Sequence, residues 1–484
     1  MSFIIGANSA VGGGFAVENS CMLGNPGDGA SAPDYLTRTP SGATNQKTFT
    51  ISYWVKRTGL QVGTSWQQVI GQQASNYFRC GFNSNEQGDI FRLYGRFFEF
   101  RTKMFARDVS AWYHVCLAID TTQGTESNRA KLYINGVLQT EFYTETIPGQ
   151  NVDLDWNLAA AIVIGRSGSS GNDGLPAYLA QFVNIDGTAY AASDFGEFDE
   201  DSGIWKPKDV SGLTFGTNGF FLDFADAADL GDDESGNTND FAETGIAAIN
   251  QATDTPTNNF ATLNSTDNYY PKATLSQGNL LQVSDTYVGT NVGEVAPNTS
   301  TIGVSSGKWY AEMKYVSTAE HSYGRPGITS NQNGPGNGTS VLGSLPGSWG
   351  MFLASGSLYN GNGDTSTSYG SVIHVGDIVG MYIDLDNNKF YYADNGSLIS
   401  STGISITAAA STNLGAYFFG NSDESRNTAT FGWNFGGCSA FTVSSGNTDV
   451  NGYGNFEYDP SSGTFDGASK DFLALCTKNL AEHG

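Results

Sequence analysis

The sequence predicts an all-β protein: two antiparallel β-sandwiches in tandem, preceded by an N-terminal arm. Three observations carry this. Short runs alternate between apolar and polar residues with period two. Phe49, Ile51, Tyr53 and Val55 interleave with Thr50, Ser52, Trp54 and Lys56, the mark of a strand with one aromatic-rich face. Turn residues separate such runs, and glycine alone fills 62 of 484 positions, well above its usual share of about 7 %. Aromatic residues reach 13 % while charged residues stay at 15 %, a balance that favours a packed core over disorder.

The charge narrows the function. Lys and Arg number 23 against 48 Asp and Glu, a formal net charge of −25. A nucleic-acid binder needs a basic footprint to displace counterions, and docking on anionic lipid needs one too. Neither partner is expected. No stretch approaches the roughly 18 apolar residues of a membrane span. The start, MSFIIGANSAVGGGFAVENS, lacks the positive region of a secretory signal. The five cysteines, Cys21, Cys80, Cys116, Cys438 and Cys476, are far apart and show no CxxC spacing. They read as buried, reduced thiols made in a reducing cytoplasm, not as a disulfide scaffold or zinc site.

Along the chain, residues 1–45 are Gly-, Ala- and Ser-rich without periodicity and read as an arm able to dock on a particle. From 46 the strand pattern begins. Further strands are expected at Ile90–Tyr94, Tyr113–Ile119, Lys131–Ile134, Ala161–Ile164 and Tyr178–Val183. Asn135-Gly136 between apolar runs predicts a hairpin, since both residues tolerate positive φ. The succession Trp112-Tyr113-His114-Val115, Lys131–Gly136 and Ile162–Arg166 resembles the concanavalin A-like (laminin G-type) lectin/glucanase fold over 46–225. The resemblance implies a jelly-roll sandwich and speaks weakly of function.

Residues 226–275 read as an acidic, polar linker. From 276 a second β pattern runs towards the C-terminus. Gly307-Lys308-Trp309-Tyr310 with Glu312, Gly376-Asp377-Ile378-Val379-Gly380 leading to Asp384-Leu385-Asp386, and Phe390-Tyr391 before Asn395-Gly396 together closely resemble the SPRY domain. That implies a second sandwich over 276–484, with Phe472, Leu473, Leu475 and Cys476 in a closing strand or docking segment. The lectin-like sandwich followed by Leu230-Gly231-Asp232-Asp233, Ser235-Gly236-Asn237, Asn239-Asp240-Phe241 and the run Thr253–Asn264 is also similar to an arrangement in structural proteins of marine tailed bacteriophages.

Catalytic chemistry finds little support. Retaining glycoside hydrolysis needs two carboxylates about 5–5.5 Å apart. The nearest candidate, Glu197-Phe198-Asp199-Glu200-Asp201, lies between Gly196 and Gly203 and reads as a solvated turn. Of four histidines, His114 falls in a strand, His374 in a turn, His483 at the chain end and His321 in a loop, with no G-x-S-x-G elbow. Gly12–Gly14 lacks the Lys of a phosphate loop. No cofactor is expected. A Ca2+ site is weakly suggested by Asp232, Asp233 and Asp240, and less by Asp384-x-Asp386-x-Asn388, where Lys389 replaces the required Gly.

Binding remains. Aromatic side chains in Gly/Ser/Asn-rich loops offer apolar area at low entropy cost. The candidates are Trp66, Tyr77, Tyr323, Arg325, Trp349, Tyr359 and Tyr369. The expected function is a non-enzymatic virion protein, assembled in the host cytoplasm. It would be a tail fibre or receptor-binding appendage that meets host surface glycan or protein through sandwich loops. Other virion proteins are its expected partners, and a homo-oligomer, a trimer by analogy with phage fibres, its expected state. The alternatives are a capsid or tail decoration protein held by the arm, a polysaccharide depolymerase using Glu197 and Asp199, and a free intracellular adaptor.

Overall fold

The computed structural model describes residues 4–5, 14–24, 34–60, 66–73, 77–83, 88–166, 174–268, 273–284, 295–318, 323–331, 341–361, 366–423, 428–465 and 467–484. They form two compact units. One spans Gly12–Thr257; the other spans Asn258–Gly484 with Met1–Val11. Each unit contains two packed antiparallel sheets, as expected.

In the first unit one sheet runs in the order Val137–Leu138, Ala130–Ile134, Trp112–Asp120, Thr48–Arg57, Ala177–Asp186, Ser20–Leu23, Gln251–Ala252. The other runs Phe142–Thr146, Phe98–Phe105, Ile90–Gly95, Phe78–Asn83, Trp66–Gln72, Ile162–Ile164, Tyr35–Arg38, Ala242–Thr244. Phe49, Ile51, Tyr53 and Val55 point into the core between the sheets, with Phe78, Cys80, Phe91, Leu93 and Phe100 from the opposite sheet. The Asn135-Gly136 turn takes the expected positive φ values of 48° and 74°.

Two expectations need correction here. Ser20–Leu23 and Tyr35–Arg38, placed in an arm, are strands of the two sheets. Each is four residues long, too short to show a period. Residues 226–257, placed in a linker, also belong to this unit. They supply the edge strands Ala242–Thr244 and Gln251–Ala252.

The polar side of the Thr48–Arg57 strand is not solvated. Thr50, Ser52, Trp54 and Lys56 are all nearly inaccessible to water. Phe195, Val210, Phe215 and Phe221 form a second apolar layer over this sheet, with Cys116, Val183 and Ile185. Thr50, Ser52 and Lys56 beneath it are hydrogen-bonded, as burial requires, while Trp54 Nε1 is buried without a hydrogen bond. Lys56 Nζ lies 2.6 Å from Asp254 Oδ2, and Trp112 Nε1 donates to Asp254 Oδ1 at 3.1 Å. Trp205 Nε1 donates to His114 Nδ1 at 3.0 Å. The His114 proton therefore sits on Nε2, which donates to Ser52 Oγ at 2.9 Å. Burial pushes the His114 pKa down to about 3.

The second unit repeats this plan. One sheet runs Thr274–Ser276, Leu281–Val283, Ala429–Asn434, Lys308–Thr318, Ile378–Asp384, Lys389–Asp394, Ser397–Leu398. The other runs Val295–Thr299, Phe418–Asp423, Gly324–Thr329, Ser348–Phe352, Ser357–Tyr359, Ser366–Ser368. Trp309, Ala311, Met313 and Tyr315 face the core. On the reverse of that strand, Tyr310 is covered by Phe456, Phe472, Ala474 and Cys476. Glu312 is buried there too. It accepts hydrogen bonds from Tyr310 Oη at 2.9 Å, Asn434 Nδ2 at 3.0 Å, Glu457 N at 3.1 Å and Tyr458 N at 2.8 Å. Burial lifts its carboxyl to about 7 against these donors, which favour the charged form. Leu473–Ala474 pairs in parallel with the Lys308–Thr318 strand, and the helix Thr477–His483 buries Leu480.

Removing Asp254 leaves a buried ammonium unpaired. Asp254→Ala is expected to lower the stability of its unit by about 3–5 kcal/mol in urea unfolding, whereas Lys56→Met with Asp254→Leu loses much less. Equal losses would contradict the pairing. His114 stays neutral in the fold but protonates near pH 6.5 when unfolded. Its contribution is complete above about pH 6.5 and is lost as pH falls towards 3. In an NMR titration one imidazole should remain neutral from pH 8 to pH 4.5; protonation of all four near pH 6.5 would contradict its sealed position.

Candidate functional site

The structure gathers the expected binding residues into two places and removes others. In the first unit, the sheet opposite the covered one carries an aromatic and cationic array on its outward positions. Trp66 opens the Trp66–Gln72 strand, and Tyr77 immediately precedes Phe78–Asn83. Period-two alternation then turns Arg79 outward while Phe78 and Cys80 face the core. On the next strand Arg92 and Tyr94 turn outward while Phe91 and Leu93 face in. The Arg79 guanidinium lies 4.4 Å from the Tyr77 ring and 6.0 Å from Trp66. Arg92 lies 4.8 Å from Trp66 and 5.4 Å from Tyr94. Rings and guanidinium planes thus alternate in the order Tyr77, Arg79, Trp66, Arg92, Tyr94. Tyr77 and Tyr94 are exposed, and Arg79 is half-buried.

Three members, Arg79, Arg92 and Tyr94, escaped the sequence reading, which sought aromatics in loops. The signal was present: Arg-Cys-Gly-Phe and Phe-Arg-Leu-Tyr place Arg and Tyr at the polar phase of two strands.

In the second unit Tyr323, Arg325 and Tyr359 also meet. Tyr323 stacks on Phe352 with centroids 5.4 Å apart. The Arg325 guanidinium lies 3.7 Å from the Tyr359 ring and 5.5 Å from Phe352. Here the cation is sealed, with Arg325 only 4 % exposed. The cluster offers solvent mainly Tyr323 and the half-buried Phe352 and Tyr359. Trp349 is corrected, whereas Tyr369 is half-buried. Trp349 faces the core of the Ser348–Phe352 strand and packs edge-on to Tyr417. Tyr369 packs on that core against Tyr392. Both aromatics come from short runs in which loop and core strand look alike.

Asp233 and Asp240 are engaged internally, and Asp232 is exposed. Asp233 accepts from Phe221 N at 2.8 Å, Ser235 N at 3.0 Å, Ser235 Oγ at 2.8 Å and Asn239 N at 2.8 Å. It organises the loop with both oxygens, while Asp240 accepts from Asp233 N at 3.2 Å. Asp232 has its carboxyl raised by partial desolvation and then by Asp240 and Asp229. Among the described residues no group of three His, Cys, Asp or Glu is placed to hold a metal ion. Asp384 accepts from Asn387 N and Nδ2, and Asp386 from Gly307 N, so that motif is a turn. His321 lies outside the described residues.

Glu197 and Asp199 share Lys206, at 3.6 and 3.2 Å. The Ser202 N–H and hydroxyl, then Lys206, hold Asp199 down to about 2. A general acid must hold a proton at working pH, and Asp199 does not. An open groove of about 290 Å3 elsewhere on this unit is lined by Asp120, Gln123, Asn128, Lys131, Tyr133 and Tyr190.

Residues 28–188 match the family model of the Concanavalin A-like lectin/glucanases superfamily. No curated protein matches the chain significantly. Among solved structures, the SPRY domain of human HERC1 is 14 % identical, with a TM-score of 0.26, over 34 % of this chain and 90 % of that one. A candidate carbohydrate-binding protein from Bacteroides ovatus is 14 % identical, with a TM-score of 0.31, over 48 % of this chain and 60 % of that one. A heptameric SAP-like pentraxin from Limulus polyphemus is 14 % identical, with a TM-score of 0.25, over 41 % of this chain and all of that one.

If the carboxylates are structural, wild type and a Glu197→Gln, Asp199→Asn variant should give the same reading in a reducing-end assay on any glycan the protein retains. Signal in the wild type that vanishes in the variant would restore them as catalytic.

Proposed function

We propose that this chain is a non-enzymatic recognition protein of a tailed-phage particle, a tail fibre or other receptor-binding appendage that grips a host surface glycan or protein. The observation that carries recognition is the open array of Trp66, Tyr77, Arg79, Arg92 and Tyr94, in the unit that matches a lectin/glucanase superfamily. Exposed rings held rigid by a sheet provide contact area with little ordering cost. The superfamily includes glucanases, but the carboxylates nearest to a catalytic pair are tied to lysines. The particle context comes from the likeness to marine phage structural proteins.

The rival reading, a decoration protein held by its N-terminal arm, is weakened where Ser20–Leu23 and Tyr35–Arg38 of that arm are strands of the sandwich. Immunogold electron microscopy on virions from the culture that makes this chain separates the two. Label at the distal tail is expected. Label spread over the head or tube would favour decoration, and particles without label would overturn both.

A further inference from the structure

The open face of the first unit has a charge that the rest of the chain does not share. Residues 79–107 hold Arg79, Arg92, Arg96, Arg101, Lys103 and Arg107 against Glu86, Asp89 and Glu99, within a chain of net charge −25. Three of these arginines sit on outward positions of adjacent strands. Arg92 stands directly opposite Arg101, and Arg79 stands opposite Tyr94. That makes Arg79 and Arg92 diagonal neighbours, roughly 7–8 Å apart along the face. Like charges directly opposed on a sheet are unfavourable. Arg92 is paired with Glu99 at 2.6 Å, Lys103 with Glu141 at 3.2 Å, and Arg107 reaches Asp89 at 4.0 Å. Arg79 has no ion-pair or hydrogen-bond partner among the described residues and is kept in place by its rings.

Tyr77, 4.4 Å from the Arg79 guanidinium, covers one side of it, and a ring over a guanidinium face leaves its N–H edge open. That edge forms a fork matched to the two oxygens of a carboxylate. The rings beside it provide flat apolar surface for the apolar face of a sugar ring. The array lies on an open sheet instead of in a closed pocket, which suits a polymer lying along it.

Resting on the recognition reading above, we propose that this face takes a polyuronate, a glycan bearing a carboxylate on its sugars, with Arg79 as the carboxylate fork and Trp66, Tyr77 and Tyr94 as the sugar platform. Nucleic acid is disfavoured because duplex DNA carries a charge every roughly 1.7 Å, which three arginines do not balance against so acidic a chain.

The test is affinity electrophoresis of the full chain through gels containing alginate, neutral dextran, dextran sulfate or single-stranded DNA. Retardation by alginate is expected to exceed that by neutral dextran at least tenfold and to weaken at high salt. Arg79→Gln should lose about tenfold in alginate affinity. Arg79→Lys, which keeps the charge but not the fork, should recover little of it, and Lys206→Gln should behave as wild type. Stronger retardation by dextran sulfate or DNA would overturn the carboxylate assignment. Equal binding of neutral dextran that is sensitive to Trp66→Ala but not to Arg79→Gln would overturn the polyuronate and leave glycan recognition standing. Absence of retardation in every gel would overturn the proposal, while the site of immunogold label still decides the virion reading.

Discussion

In each unit one sheet is buried on both faces, and the second layer is held down by an ionisable side chain placed inside. A sandwich needs only the inner face of each sheet to be apolar. Here Lys56 and Glu312 stand on the outer faces of the strands Thr48–Arg57 and Lys308–Thr318, where water would ordinarily solvate them. Both are sealed by chain that arrives later in the sequence. Asp254 reaches Lys56, and the backbone N–H groups of Glu457 and Tyr458 reach Glu312. A buried ionisable or polar group is tolerated only when its hydrogen-bond partners are complete, so each fixes where the covering segment must lie. His114, Ser52 and Trp205 extend the same requirement through neutral groups.

This covering separates the two sheets of each sandwich by role. The covered sheet is a scaffold, and most of its polar groups are spent on internal bonds. The partner sheet keeps an outward face. In the second unit that face closes over its own cation, leaving Arg325 under Phe352 and Tyr359. In the first unit the equivalent combination of arginine and aromatic rings remains accessible, with Tyr77 46 % and Tyr94 40 % exposed. The same stacking chemistry therefore serves packing in one unit and presents a binding surface in the other.

Much of the fold was legible from period and turn chemistry. The strands around Ile51, Val115, Leu132 and Met381 showed their alternation, and Asn135-Gly136 and Asn395-Gly396 declared their turns through positive φ. Strands of four residues or fewer, such as Ser20–Leu23 and Ala242–Thr244, carry no measurable period, so the residues around them read as arm and linker. Asp254 lay in a run of Thr, Asp and Asn that looks solvated, because nothing local reveals that Lys56, 198 positions earlier, is buried beneath it. The candidate site was half legible. Trp66 and Tyr77 stood out as aromatics among polar residues. Arg79 and Arg92 did not, since an arginine on a strand's polar phase is ordinary until its neighbours are known to be rings.

The most direct test of the account is a crystal structure of the full chain with a uronate oligosaccharide bound. The account predicts sugar rings lying over Trp66 and its neighbouring tyrosines, with a carboxylate in the fork of Arg79. A ligand seated in the loops at the ends of the sandwich, or in the groove beside Tyr133 and Tyr190, with the sheet face bare, would contradict it.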